Sequence, residues 1–303
     1  MQTFRVEGRL LRILFYAIIS GMLFGLFFAL MSLGLNLLFG VMRMVNLAHG
    51  DFVMVGAFIA YVAYTHGILS PWLDLALVIV ILGGLGFVLY FPIGPRLTGS
   101  YDPEMLSLIL FFGVSQILEA LAVMVFGNNP VAVGYHVLTV KPVNLLGQAY
   151  QPSWILAAGV SVIVILAVYG YLYHTRLGYA TRAIMGDREE SESTGINVHR
   201  VSAIVFALGL VTAGLAGVLS PLVIGSIYPT MGLGLTITAF AVVIIGSLGN
   251  PLGSILGGLI YGISLMLMET YLSTWSTMVP YVLLLLILLL RPTGLLGKGV
   301  RRA

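Results

Sequence analysis

Asn46, His49 and Asp51 bring an amide, an imidazole and a carboxylate together in one short run, Asn46-Leu47-Ala48-His49-Gly50-Asp51, between apolar stretches. Such groups can hold a metal, move a proton or pass a polar solute. His49 and Asp51 are too few for a metal site and no third ligand is evident, so no metal is expected. No serine sits in a recognisable elbow, so a nucleophilic triad is unsupported. Ionisable groups at membrane depth are costly and usually face a cavity or a partner, which makes this run a candidate pathway or gate. A structural reading stands beside it, in which Asp51 caps a helix starting at Phe52 and pairs with Arg43. Glu119 offers a second carboxylate inside an apolar segment, either for proton coupling or for a bond to a neighbouring helix with Gln116.

The segment from His174 to Arg200, HTRLGYATRAIMGDREESESTGINVHR, concentrates charge in another way. Arg182 and Arg188 mix there with Asp187, Glu189, Glu190 and Glu192. Gly178, Ala180, Ala183, Gly186 and Gly195 permit close approach, and Ile184, Met185 and Ile196 offer apolar contacts. A solvated loop explains the charge alone. The mixture points further, to a short helix that fits a groove of a soluble partner. Nothing matches G-x-x-x-x-G-K-[ST], and the tail Arg291-Pro292-Thr293-Gly294-Leu295-Leu296-Gly297-Lys298 is only superficially similar. The chain is expected to bind no cofactor and to hydrolyse no ATP itself.

These residues are positioned by a membrane protein. Of the 303 residues 59% are hydrophobic and 8% charged, with a mean hydropathy of +1.07. A soluble domain carries about a quarter charged residues. Apolar runs are continuous rather than alternating, which favours helices over a barrel. The net charge of +3 gives no case for nucleic-acid binding, and the absence of cysteine excludes disulfides and thiolate chemistry. Residues 1–303 read as a single, all-α, polytopic domain of about eight spans plus broken or re-entrant segments.

Candidate segments are Ile13–Phe39 (an uncleaved first span), Phe52–Tyr64, Trp72–Pro92, Met105–Phe126, Trp154–Tyr173, Val201–Ile224, Leu235–Leu248, Leu252–Met268 and Val279–Leu290. Trp72, Trp154 and Trp275 fall near span ends, as interfacial anchors do. Basic residues gather in the N-terminal tail, the His174–Arg200 loop and the tail from Arg291, which puts all three in the cytoplasm. That assignment conflicts with a count of full spans unless the region from Gly40 to Tyr64 dips in and returns. Leu235–Leu248, running into Gly249-Asn250-Pro251, is also short. Interrupted segments in both halves suggest an internal repeat around a central pathway, with Gly246, Gly249 and Asn250 as its second set of residues. Gly21 and Gly25, Ala213 and Gly217, Gly253 and Gly257, and Gly258 and Gly262 have helix-packing spacing, within the subunit or at a seam between subunits.

The run from Phe39 to Asp51, FGVMRMVNLAHGD, resembles a signature of LivH-type permeases of branched-chain amino acid ABC importers. Leu177-Gly178 through Gly195-Ile196-Asn197, Ala213–Leu219, Gly246–Gly249 with Gly253–Gly258, and the ending Arg291–Gly297 resemble the same family in the same order. Ser191 stands where the family usually has Ala, Ser247 where a second Gly is common, and Asp51 where Glu is commoner. The resemblance implies an inner-membrane subunit working by alternating access. Its partners would be a second, LivM-like permease, two cytoplasmic ATPases that use ATP, a periplasmic binding protein and membrane lipid. It places the ATPase contact on Gly178 to Gly195, hence Gly178, Arg182, Ala183, Asp187, Arg188, Gly195 and Ile196. Urea and short-amide permeases look similar in these segments. An ion-coupled secondary transporter, built on Glu119 and Asp51, is the rival of another class; a channel lacks a filter-like repeat.

Overall fold

Inside a bilayer a backbone must satisfy its own hydrogen bonds, and long apolar runs do so as helices. The computed structural model describes residues 2–68, 70–136, 140–145 and 147–297, and the expectations resting on Lys298, Arg301 and Arg302 lie outside them, as do the side chains of Arg5 and Arg9. The helices are α1 (Gln2–Met42), α2 (His49–Thr65), α3 (Pro71–Thr98), α4 (Pro103–Phe126), α5 (Pro152–His174), α6 (Arg176–Gly186), α7 (Arg188–Ser193), α8 (Val198–Val223), α9 (Met231–Gly246), α10 (Pro251–Tyr271) and α11 (Val279–Leu290). Among the described residues seven helices are long and apolar enough to cross a membrane. The protein is a multi-pass helical bundle. α2 and α9, at 17 and 16 residues, are the short pieces that interrupt it.

α8 lies at the centre, with 78% of its most apolar stretch buried, and packs on α1, α2 and α3. α1 and α10 form the longest helix pair, and their glycines make the contact. A Cβ at Gly262 would run into the backbone of Gly21 and Gly25, and one at Gly258 into Gly25 and Ala29. Gly217 meets α2 at Val53 and Gly56, and Gly257 meets α9 at Val242. These small-residue faces are therefore used inside the subunit, where close backbone approach replaces a hydrophobic drive that lipid cannot supply.

Three boundaries differ from the sequence expectation. α3 passes Pro92 and continues through Pro95 to Thr98; membrane helices tolerate proline because neighbours re-satisfy the freed carbonyls. Between α4 and α5, where the sequence offered no element, the chain forms an antiparallel hairpin, β1 (Val143–Leu145) with β2 (Gln148–Tyr150), Val143 opposite Tyr150. The first irregular segment is confined to residues 43–48, and α2 after it is a complete helix.

The bundle has two distinct ends. At one end the Tyr16 ring packs at a tilt against Tyr150, Phe24 meets Trp154, and Tyr135 donates to Asp74 at 2.6 Å. Burial first, and that hydrogen bond second, push the Tyr135 phenol above its ordinary value. At the other end Gly40 lies against Met185, and Leu295 and Leu296 donate to Ile245 and Gly246. α1 is unbroken between the two and, at 41 residues, about 60 Å long. The expectation that the N-terminal tail shares the end of the His174–Arg200 loop is corrected: α1 starts at the hairpin end, while the described C-terminal tail lies at the loop end. The physical reason is the course of residues 40–64. They do not dip and return; α2 carries the chain on to the hairpin end, where Tyr64 packs on Gly134.

Candidate functional site

The chain turns out of α1 at Arg43, which holds φ 51°, a conformation costly for a residue other than glycine. It then climbs back beside α1, so that α2 begins in the middle of the bundle. There His49 donates from Nε2 to the Met31 carbonyl at 2.7 Å. Two side chains from other helices replace the missing helical bonds of this stretch. Ser107 of α4 accepts from the Val45 amide at 2.9 Å. Thr236 of α9 accepts from the Gly50 amide at 2.8 Å and donates to the Leu47 carbonyl at 3.0 Å. Irregular backbone survives at membrane depth when protein supplies such partners.

The side chains of the run are buried and largely unpaired. Asn46, His49 and Asp51 are 1%, 0% and 0% exposed. Both amide atoms of Asn46, Nδ1 of His49 and both carboxylate oxygens of Asp51 complete no hydrogen bond among the described residues. Asp51 lies in the first turn of α2, which starts at His49 rather than Phe52, and Ala48 holds the capping position without a side-chain bond. Its carboxylate rests on Gly232 in the first turn of α9. Two helix N-termini thus converge on one buried carboxylate, where their partial positive charge favours an anion. Arg43 is exposed at the loop end, and Asp51 is not its partner. Ser115 and Glu119 of α4 approach Asp51 from the side.

The second break, between α9 and α10, is finished differently. Asn36 of α1 donates to the Ser247 and Asn250 carbonyls at 3.2 and 2.8 Å and to the Ser254 hydroxyl at 2.9 Å. Asn250 caps α10 by accepting from Leu252. The amides of Leu295 and Leu296 take the Ile245 and Gly246 carbonyls, which the end of α9 would otherwise leave free. Gly246 lies on Gly253, and Gly249, at φ 74°, faces Gly40.

The His174–Arg200 loop folds as two short helices. Thr175 caps α6 by accepting from Gly178 and donates to Tyr171 at 2.7 Å. Gly178 fits because a side chain there would strike the Tyr171 and Leu172 carbonyls. Asp187 ends α6 and caps α7, accepting from Glu190 at 2.9 Å. Arg182 is used internally: it donates to the Leu172 carbonyl at 3.1 Å, with its guanidinium over Tyr173 and Tyr179. Arg188 reaches Thr98 of α3 at 3.4 Å. Gly195, at φ 86°, closes α7, and Ile196 packs on the core. Ala183, Gly186, Glu189, Glu190 and Glu192 remain exposed. A cavity of about 500 Å³ joins this loop to the first break, lined by residues 40–43, Thr98, Pro103 and residues 184–189.

The structure therefore gathers Asn46, His49 and Asp51 in one buried cluster. It puts Gly246, Gly249 and Asn250 in another, at the loop end. Sequence reading missed Asn36 and Thr236, the residues that tie the two breaks to neighbouring helices. The signal for Asn36 was present: a lone amide within Leu33–Leu38 must find partners.

A sequence model described as the permease component of branched-chain amino acid transport systems matches residues 17–288. The high-affinity branched-chain amino acid permease LivH of Escherichia coli K12 is 30% identical over 92% of this chain and 94% of its own length. BraD of Pseudomonas aeruginosa, of the same description, is 29% identical over 93% of this chain and 95% of its own. The ribose import permease RbsC of Escherichia coli K12 is 35% identical over 37% of this chain and 35% of its own. No solved structure matches.

Proposed function

The chain belongs to the branched-chain amino acid transport permease family, and from that premise we propose that it is one permease subunit of an ATP-driven importer carrying leucine, isoleucine and valine inward. A second permease completes the transmembrane part, two cytoplasmic ATPases supply the energy, and a periplasmic binding protein delivers the substrate. The membrane is the bacterial inner membrane. The loop end of the bundle faces the cytoplasm and the hairpin end the periplasm.

The observation that carries the coupling role is the cavity shared by the α6–α7 loop and the first break. A displacement of α6 and α7 by a docked ATPase acts on residues 40–43, the hinge from which the Asn46–Asp51 run departs. The ATPase distinguishes two permease states only if it binds them with different affinity. Exposed Ala183 and Glu189 are the docking surface, with Gly178, Arg182, Asp187, Arg188, Gly195 and Ile196 holding its shape. Asn46, His49 and Asp51 line the pathway at mid-depth, and Gly246, Gly249 and Asn250 bound it at the cytoplasmic end.

The test is uptake of labelled leucine into proteoliposomes holding both permeases, the ATPases and the binding protein. ATP-dependent uptake is expected, falling at least tenfold, about 1.4 kcal/mol or more, in the Ala183→Arg, Glu189→Lys double variant. Urea uptake in place of leucine would change the substrate and keep the architecture. Leucine uptake without the ATPases would overturn the reading.

A further inference from the structure

Gln116 and Glu119 lie near the middle of α4, one turn apart, on a side of the helix that the described residues leave partly open. Gln116 is exposed and Glu119 half-buried, and only 17% of the most apolar stretch of α4 is buried. Their depth follows from their neighbours. Glu119 is close enough to Asp51 to act on its charge, and Asp51 sits one turn into α2, which starts beside Met31 in mid-α1. A polar side chain at that depth does not face hydrocarbon; it faces protein or a water-filled path. Other outward faces make the contrast. Val80 and Val88 on α3, Ile163 and Leu166 on α5, and Leu289 and Leu290 on α11 are all more than half exposed and entirely apolar, as lipid requires.

α4 and α9 touch, though far less than α9 touches α2 or α10. Gly113 on α4 and Gly234 on α9 both open onto free space, so a further helix can come in close, as membrane helices do at small residues backed by interhelical hydrogen bonds. We propose that the α4–α9 face is the seam with the companion permease, one of whose transmembrane helices packs over Gly113 and Gly234 and gives an amide or hydroxyl partner to Gln116 and Glu119. This rests on the proposal that the chain works with a second permease, and it says where that subunit sits. Asp51, whose charge Glu119 is near enough to feel, then lies toward the joint between the two subunits.

The chain has no cysteine, so single cysteines report position cleanly. Gly113→Cys, Gly234→Cys and, as the lipid-facing control, Val80→Cys would be placed in the complete transporter in native membranes and reacted with a photoactivatable maleimide cross-linker. Gly113→Cys and Gly234→Cys are expected to join the companion permease with at least tenfold the yield of Val80→Cys. Joining mainly to a second copy of this chain would overturn the choice of partner. Lipid adducts alone, at the level of Val80→Cys, would overturn the seam. Gln116→Cys gives the same reading should a glycine variant fail to accumulate. Leucine uptake by the same preparation separates the two proposals: cross-linking without uptake leaves the seam standing and removes the substrate, while uptake without cross-linking removes the seam alone.

Discussion

At the break between α9 and α10, the Asn36 NH2 group reaches the Ser247 carbonyl, the Asn250 carbonyl and the Ser254 hydroxyl, and only its Oδ1 lacks a partner among the described residues. At the break between α1 and α2, Asn46 spends its amide on nothing, and His49 and Asp51 keep unpaired atoms beside it. The second break lies at the loop end, with Leu248 exposed, and the first at mid-depth. They differ most in their side chains. A buried polar atom without a partner costs free energy, so a fold keeps one where something other than the fold uses it. The second break is a latch that fixes helix ends, and the first holds spare hydrogen-bonding capacity at mid-depth.

The largest loss is expected at the latch. Gly246→Val places a side chain into the Gly253 backbone, where neither main chain can yield. Such overpacking costs about 3 kcal/mol, and the variant is expected to lose most of its monodisperse yield in detergent. Asn36→Leu is gentler, because it keeps the volume and removes only the amide. The stranded carbonyls and the Ser254 hydroxyl cost about 2 kcal/mol together, read as a lower midpoint of thermal unfolding.

The opposite result is expected at the first break. Asn46→Leu removes an amide that makes no bond, so stability should change by less than about 0.5 kcal/mol or rise. Leucine uptake is expected to fall about tenfold, equivalent to ~1.4 kcal/mol. A thermal midpoint that drops as far as in Asn36→Leu would erase the distinction between latch and pathway.

How far this contrast was legible in the sequence depends on what each feature rests on. The spans were readable because hydrocarbon imposes length and composition on each segment by itself. Asn46, His49 and Asp51 were readable as a cluster because they are neighbours in the chain. The bond from Asn36 to Ser247 was not, since 211 positions separate the two and nothing local announces the pairing. The internal contacts of Arg182 were not legible for a related reason. Its role as a brace depends on Tyr173 and Tyr179, whose rings close over it only once α5 turns into α6. The side of the N-terminal tail failed because charge counting assigned the tail to the loop's end, whereas α1 has to connect the hairpin to the first break.

The smallest effect is expected at Ser247. It holds φ 134° and ψ 131°, a region that suits glycine, and its hydroxyl makes one long contact, 3.5 Å to the Leu248 carbonyl. The LivH-type signature that this chain resembles often carries glycine at that position. Backbone strain of this kind costs about 1–3 kcal/mol, and glycine returns about 0.5–1 of it through the entropy of the unfolded chain. Ser247→Gly is therefore expected to stabilise by about 1 kcal/mol, with a higher thermal midpoint and uptake within about twofold of the parent. A latch whose job is to hold helix ends loses nothing when its strain is relieved. A fall in uptake of tenfold or more with the stability gained would mean that the strain at Ser247 drives part of the transport cycle, and the second break would then belong with the first.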